Sequence, residues 1–374
     1  MAERAFRLEQ LEGKIWSLVL DLPGEKVNKL SQSVMEEAAK LLPELKRKGE
    51  AGEIEALILR SGKSFQFIAG ADITLIQSAK TEERARELSA AGQALLNDWE
   101  DLPFPTIAAI QGPALGGGCE WSLASSALVM SDDPSTRIGL PEVMLGILPG
   151  MGGCVRLPRK VGLATALDLI LSSKQLKSEA AVKCGLAEAK LPAERFVQAT
   201  LEWVRANLSA LGAGKRLARE PKLGGAGGTI GTLLERTALG RAVMFKQAIK
   251  GVMSKTHGHY PAPLEVIEVL RENASQYGPD RLRGPERSRA LAREALGFGR
   301  LAATPISKNL IEIFFLTEQV KKSKGILKER ESAVEAKPVL QAAVIGAGVM
   351  GGGIAQLFAD RGTPTRMRSE ERRV

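Results

Sequence analysis

The chain has 374 residues, 44% hydrophobic and 25% charged, which allows one large domain with an appendage or two to three smaller ones and excludes a disordered or fibrous class. Its net charge of +9 suits a nucleic acid, an anionic membrane surface or a small polyanion such as a nucleotide, but the few aromatics are not interleaved with basic clusters, so no nucleic-acid partner is expected. Cys119, Cys154 and Cys184 form no CxxC pair, MAERAFRLEQLEGK has no apolar leader core, and no stretch approaches a membrane span; a cytoplasmic chain without disulfide scaffold, structural zinc or transmembrane segment is expected.

In chain order, Ile15 to Pro23 and Ile54 to Gly62 are short, apolar, rich in branched residues and stopped by Pro or Gly, which predicts two strands. Between them Val34, Ala38, Leu41 and Leu45 recur at helical spacing behind Ser31, a residue suited to cap a helix N-terminus. A second helix is predicted from about Thr81 to Leu102, with Leu88, Leu95, Trp99 and Leu102 on one face and Glu82 and Glu83 in its first turn. A strand follows at Pro105 to Gln111, and Gly116, Gly117 and Gly118 then lead into the apolar segment CEWSLASSALVM. Strands alternating with helices predict an α/β class with substantial parallel pairing. From about Leu163 the reading is mostly helical, broken by the loop GGAGGTIG at Gly224 to Gly231. Ser307 precedes an apolar helix carrying Leu310, Ile311, Phe314, Phe315 and Val320. The charged stretch KKSKGILKERESAVEAKP reads as a connector, and a fresh strand starts after Pro338.

Three segments carry chemistry. In GKSFQFIAGADI, Gly62 to Ile73, a strand ends and the backbone turns through Gly70, where main-chain N–H groups can face a ligand with no side chain in the way; a plain turn is the alternative. In GPALGGGCE, Gly112 to Glu120, three glycines at a strand-to-helix junction allow close approach of a substrate to oriented N–H groups suited to a developing oxyanion. Tight packing beneath the helix would use the same glycines. In IGLPEVMLGILPGMGG, Ile138 to Gly153, Glu142 stands among apolar residues and is either a solvated loop carboxylate or a desolvated acid; the pattern leaves both open.

In order and residue type these segments resemble the enoyl-CoA hydratase/isomerase family, also called the crotonase family, over roughly residues 10 to 190. The resemblance implies a spiral of β-β-α units, an acyl-CoA substrate in an extended groove, and an oxyanion hole of two backbone N–H groups. Those groups fall on Ala71, in the GAD turn, and Gly117, the middle glycine of GGG. It also implies two catalytic glutamates, Glu120 closing GGGCE and Glu142 in LPE. Hydration of a 2-enoyl thioester needs a base to activate water for attack on C3 and an acid to protonate C2, while the thioester oxygen gains charge. Glu120 resembles the water-activating member and Glu142 the proton donor. Hydration then takes no metal and no separate cofactor.

The insertion DDPST and the segments KTHGHYPAP and SKNLIEIFFLTEQVKK extend the resemblance to the alpha subunits of multifunctional fatty-acid oxidation complexes, the last segment resembling a linker helix that docks on the hydratase domain. Such proteins fuse a hydratase to a 3-hydroxyacyl-CoA dehydrogenase. VLQAAVIGAGVMGGGIAQLFADRG places Gly346, Gly348 and Gly351 as GxGxxG between a predicted strand and helix, a fingerprint for NAD. RMRSEERRV leaves the family pattern and reads as a solvated end, so the dehydrogenase start reads as truncated or frameshifted and its NAD site as incomplete. The expected organisation is a hydratase/isomerase core over 1–190, a helical extension and linker helix over 191–335, and the start of the NAD-binding domain over 336–374. The expected activity is 2-enoyl-CoA hydration. The alternatives are 3-enoyl to 2-enoyl-CoA isomerisation and a non-catalytic subunit that docks a thiolase beta subunit; retention of both glutamates argues against the latter. His257 and His259 lack a neighbouring Cys, Asp or Glu cluster and are expected to be structural rather than metal ligands. Cys119 is expected to be packing.

Overall fold

The computed structural model describes residues 4–225, 227–277, 283–322 and 337–369, so most of the charged connector and the end of the tail lie outside the described residues. The chain separates into two units, residues 1–316 and 317–374. The strands of the first are β1 (Phe6–Glu12), β2 (Ile15–Leu20), β3 (Ala56–Ser61), β4 (Thr106–Ile110), β5 (Pro113–Leu115), β6 (Ala127–Ser131), β7 (Arg137–Gly139), β8 (Leu176–Lys177) and β9 (Ala189–Leu191). Interleaved with them are α1 (Gln32–Glu50), α2 (Ile73–Ser78), α3 (Glu82–Glu100), α4 (Gly117–Ala124), α5 (Gly153–Val161), α6 (Leu163–Ser172) and α7 (Ser178–Lys183). Then come α8 (Phe196–Gly212), α9 (Gly228–Arg236), α10 (Ala238–Thr256), α11 (Pro261–Asn273), α12 (Gly284–Ala302) and α13 (Pro305–Lys322), which runs past the boundary between the units.

One sheet has the order β1-β2-β3-β4-β6-β9, antiparallel at the β1/β2 hairpin and parallel thereafter; a smaller one has the order β5-β7-β8. Successive turns of the chain lay one strand in the large sheet and the next in the small one before a helix returns, as in β4, β5, α4. This is the crotonase-type spiral expected above. Period-two alternation splits the large sheet's side chains between two apolar clusters. Leu18, Leu57, Leu59, Ile110 and Met130 join one, and Ile15, Ile58, Ile107 and Val129 join the other under Phe196, Leu201 and Val204 of α8. With both faces covered, β4 and β6 are buried at every position.

Two predicted helix starts hold. Ser31 accepts a hydrogen bond from Val34 N–H, and Thr81 accepts one from Arg84 N–H. Other expectations need correction. β1 lies where no element is read from the sequence, and β8 and β9 interrupt the stretch read as helical. α9 begins inside the predicted loop GGAGGTIG. In α1 Leu42 is buried along with Val34, Ala38 and Leu45, while Leu41, read as a core position, is only partly buried at the edge of the cluster. α13 starts at Pro305, two residues before Ser307: Thr304 accepts from the N–H groups of Ser307 and Lys308, and Ser307 is itself buried.

The second unit holds β10 (Ala342–Ile345), α14 (Val349–Asp360) and β11 (Thr365–Arg368). β11 pairs in parallel with β10 from Ala342↔Thr365 to Ile345↔Arg368. Part of the tail read as a solvated end is therefore a strand, because the backbone groups of residues 365–368 find partners in β10. The fingerprint glycines form the tight strand-to-helix turn: Gly346 has φ +101°, Gly348 precedes α14, and a Cβ on Gly351 would lie 1.7 Å from Gly346 O.

Candidate active site

The site begins at a buried asparagine that the sequence reading passed over. Asn28 donates to the carbonyls of Leu20 and Phe67 and to Ser61 Oγ, and its own side-chain carbonyl accepts from Leu22 N–H. This bracket fixes the run to Leu30, which bonds the GAD turn from both backbone groups. Leu30 N–H donates to Gly70 O at 2.9 Å, and Asp72 N–H donates to Leu30 O at 3.1 Å. Ala71 lies between those two bonds, so its own N–H points away from Leu30, as alternate residues do in a parallel pairing.

The three glycines before Glu120 serve different ends. Gly118 is a packing residue: a Cβ there would lie 2.2 Å from Ile68 O. Gly116 takes φ +51°, and a Cβ would sit 3.1 Å from Glu142 Oε1. Gly117 opens α4, where an N–H has no intrahelical acceptor. A Cβ on Gly117 would stand 3.3 Å from Ala71 N, 3.1 Å from Leu30 Cδ1 and 3.3 Å from Met151 Sδ. The Ala71 and Gly117 backbones thus meet at one place. It borders a cavity of about 560 Å³ lined by Glu120, Glu142 and Met151, by Leu88 and Leu95 of α3, and by Phe298 of α12.

Glu120 lies on α4, 2% exposed, and its Oε1 accepts from Met151 N–H at 2.7 Å and Gly153 N–H at 2.8 Å. Burial pushes its carboxyl up to about 7, against the bonds from Gly153 and Met151 and the charge of Arg156, which favour the ionised form. Glu142 opens the 3-10 turn Glu142–Leu145 and is 8% exposed. Its Oε2 is buried without a hydrogen-bond partner. Burial, and next the charge of Glu120, push this carboxyl well above the usual range. Of the two readings of Glu142, the desolvated acid is the one the fold builds.

A third buried glutamate stands behind them. Glu294 of α12 accepts from Gly152 N–H at 2.6 Å, Cys154 N–H at 2.9 Å and Gln93 Nε2 at 3.0 Å. Burial, and then the charge of Glu120, push it up to about 8. The signal that could have found it is position: Ala290, Leu291 and Phe298 place the apolar face of α12, and Glu294 falls on that face.

Cys119 is packed and its thiol is pushed well up, first by burial. His257 closes α10 at φ +50°, and His259 is exposed. Among the described residues no group of three or more His, Cys, Asp or Glu is placed to hold a metal, and no helix is long and apolar enough to cross a membrane.

Residues 12–216 match the family model described as enoyl-CoA hydratase/isomerase, and residues 341–373 match the NAD-binding domain of 3-hydroxyacyl-CoA dehydrogenase. The chain is 40% identical over 369 residues to the fatty acid oxidation complex subunit alpha of Shewanella amazonensis, covering 98% of this chain and 48% of that protein. The chain spans about half the length of the curated relatives it matches. Among solved structures, an enoyl-CoA hydratase from Bacillus anthracis superposes with a TM-score of 0.51 at 26% identity, over 74% of this chain and 100% of that one. An enoyl-CoA hydratase from Mycobacterium avium subsp. paratuberculosis shares the fold, with a TM-score of 0.54 at 18% identity over 84% of this chain and 96% of that one.

Proposed function

Because the chain belongs to the enoyl-CoA hydratase/isomerase family, we propose that its cavity adds water to a 2-enoyl-CoA thioester, giving the 3-hydroxyacyl-CoA. The observation that carries this reading is the asymmetry of two buried carboxylates at one cavity. Glu120 accepts two N–H bonds that favour its ionised form, whereas Glu142 has an unpartnered oxygen that favours its protonated form. Ionised Glu120 takes a proton from water as the oxygen bonds to C3, and the C2=C3 electron pair moves onto the thioester oxygen. The N–H groups of Ala71 and Gly117 receive that charge. Glu142 then delivers its proton to C2, and exchange with solvent returns both carboxyls to their starting states. The CoA thioester is substrate, so this scheme calls on no further cofactor.

One further activity is favoured by the bare Oε2 of Glu142: moving a proton between C4 and C2 of a 3-enoyl thioester, which is isomerisation to the 2-enoyl form. For the second unit, Gly346, Gly348 and Gly351 support an NAD-type turn, and we read its site as incomplete in this chain. From the relatives' printed name we also propose membership of a fatty acid oxidation complex; a thiolase beta subunit as partner and the cytoplasm as location are proposals that rest on the sequence resemblance alone. The hydratase reading is tested by following loss of enoyl thioester absorbance when purified chain meets crotonyl-CoA. Catalysed loss is expected; folded protein that leaves the absorbance unchanged would refute the reading.

A further inference from the structure

We propose that Glu294, on a helix outside the stretch matched by the hydratase/isomerase model, is a positioning residue that holds the backbone on which Glu120 is aimed. The inference rests on the hydratase reading above. Four consecutive N–H groups alternate between two carboxylates. Met151 and Gly153 donate to Glu120 Oε1, while Gly152 and Cys154 donate to Oε1 and Oε2 of Glu294. The segment contains Gly150, Gly152 and Gly153, with Gly152 at φ +107°, so its own side chains do little to restrict it. External groups supply the stiffness. Arg156 donates to Met151 O at 3.0 Å, and Gln93 Nε2 bridges Glu294 and the carbonyl of Leu291, each at 3.0 Å. Glu294 does not line the cavity, whereas Glu120 does, so it acts through Glu120 and not on substrate. A general base must be held within hydrogen-bond reach of the proton it removes, and a loosened base loses rate before it loses substrate affinity.

The test is a double-mutant cycle in the full chain with crotonyl-CoA. Glu294→Gln keeps the volume and one acceptor oxygen but replaces the other with an NH2 group that cannot accept from the backbone. In the wild-type background kcat is expected to fall about ten-fold or more with KM within about two-fold. In the Glu120→Gln background the same change should lower kcat no further, because no base remains to be aimed. An unchanged kcat, or an equal loss in both backgrounds, overturns the proposal. If Glu294→Gln does not fold, Gln93→Leu is read instead, since it leaves the carboxylate and removes one of its donors. A kcat loss at constant KM that vanishes beside Glu120→Gln supports the proposal, and an unchanged kcat overturns it. Wild-type chain that fails to hydrate crotonyl-CoA overturns the hydratase reading and this inference together; wild-type turnover with indifferent variants overturns the inference alone.

Discussion

Glu120 and Glu142 differ in what their oxygens meet, and the difference sets the pH range in which each does its work. Glu120 acts ionised and is pushed up to about 7 by burial, so kcat/KM should rise with pH through that value. Glu142 acts protonated and is pushed well above the usual range by burial and by Glu120, so kcat/KM should fall again at higher pH. The expected profile is a bell, and a flat profile between roughly pH 5 and 10 would contradict the assignment. Glu120→Gln and Glu142→Gln should each lower hydration by about 10²–10⁴-fold, checked by steady-state rates alongside circular dichroism. A side chain at Gly117 enters the space between Leu30, Ala71 N and Met151. Gly117→Val should therefore cost at least about 10²–10³ in kcat, the scale of one lost oxyanion donor; normal turnover would place the thioester oxygen elsewhere. Glu120, Glu142, Ala71 and Gly117 were singled out because each sits in a short contiguous motif, and the structure brings all four to one cavity. Glu294 was passed over: its place on the apolar face of α12 marks it as buried, but its partners Gly152 and Cys154 lie 142 and 140 residues away along the chain.

Elements far apart in sequence also brace the site. Lys308 of α13 donates from Nζ to the carbonyls of Ile76, Gln77 and Ala79 at 2.7, 3.1 and 2.6 Å, at the C-terminal end of α2. Those carbonyls lack intrahelical partners and carry the negative end of the helix dipole. One residue earlier, Ser307 Oγ donates to Leu145 O at 3.0 Å and pins the 3-10 turn that carries Glu142. Lys308→Met should destabilise the protein by about 1.5–3 kcal/mol, the scale of hydrogen bonds to a charged group. Because Ile73 and Ile76 of α2 wall the cavity, it should raise KM more than it lowers kcat. Thermal melts and crotonyl-CoA kinetics check both, and an unshifted melt would show the cap to be idle. α1 and α3 were legible because their apolar residues recur at helical spacing over several turns, and β2, β3 and β4 because each is a short apolar run closed by Pro or Gly. β1 was not, since FRLEQLE carries Arg7, Glu9 and Glu12 at the sheet edge. β8 and β9, of two and three residues, are too short to show any period. Ser307 was misread as a start because Pro305 already occupies the first helical position behind Thr304.

At the scale of the molecule, the two units differ in how completely they bury themselves. In the second, Val344 is buried, while Ile345, Val349, Met350 and Leu357 are exposed by 79%, 102%, 78% and 62%. Two paired strands and one helix offer each other little apolar cover. The NAD fingerprint was legible as a glycine spacing; the pairing of β11 was not, because TRMR has no apolar alternation to mark a strand. β11 carries Arg366 and Arg368 and no carboxylate to take a ribose hydroxyl. We expect no micromolar binding of NAD by titration calorimetry and no NADH from 3-hydroxybutyryl-CoA; either signal would show that the ribose finds a partner other than β11. In the first unit the oxygen added to substrate can be followed. Crotonyl-CoA is incubated with the chain in water enriched in heavy oxygen, and the product is read by mass spectrometry. 3-Hydroxybutyryl-CoA with one heavy oxygen at C3 is expected, formed at a rate that collapses in Glu120→Gln. Recovery of unchanged crotonyl-CoA from the folded wild-type chain, or the same labelling rate in Glu120→Gln, would contradict the hydratase reading.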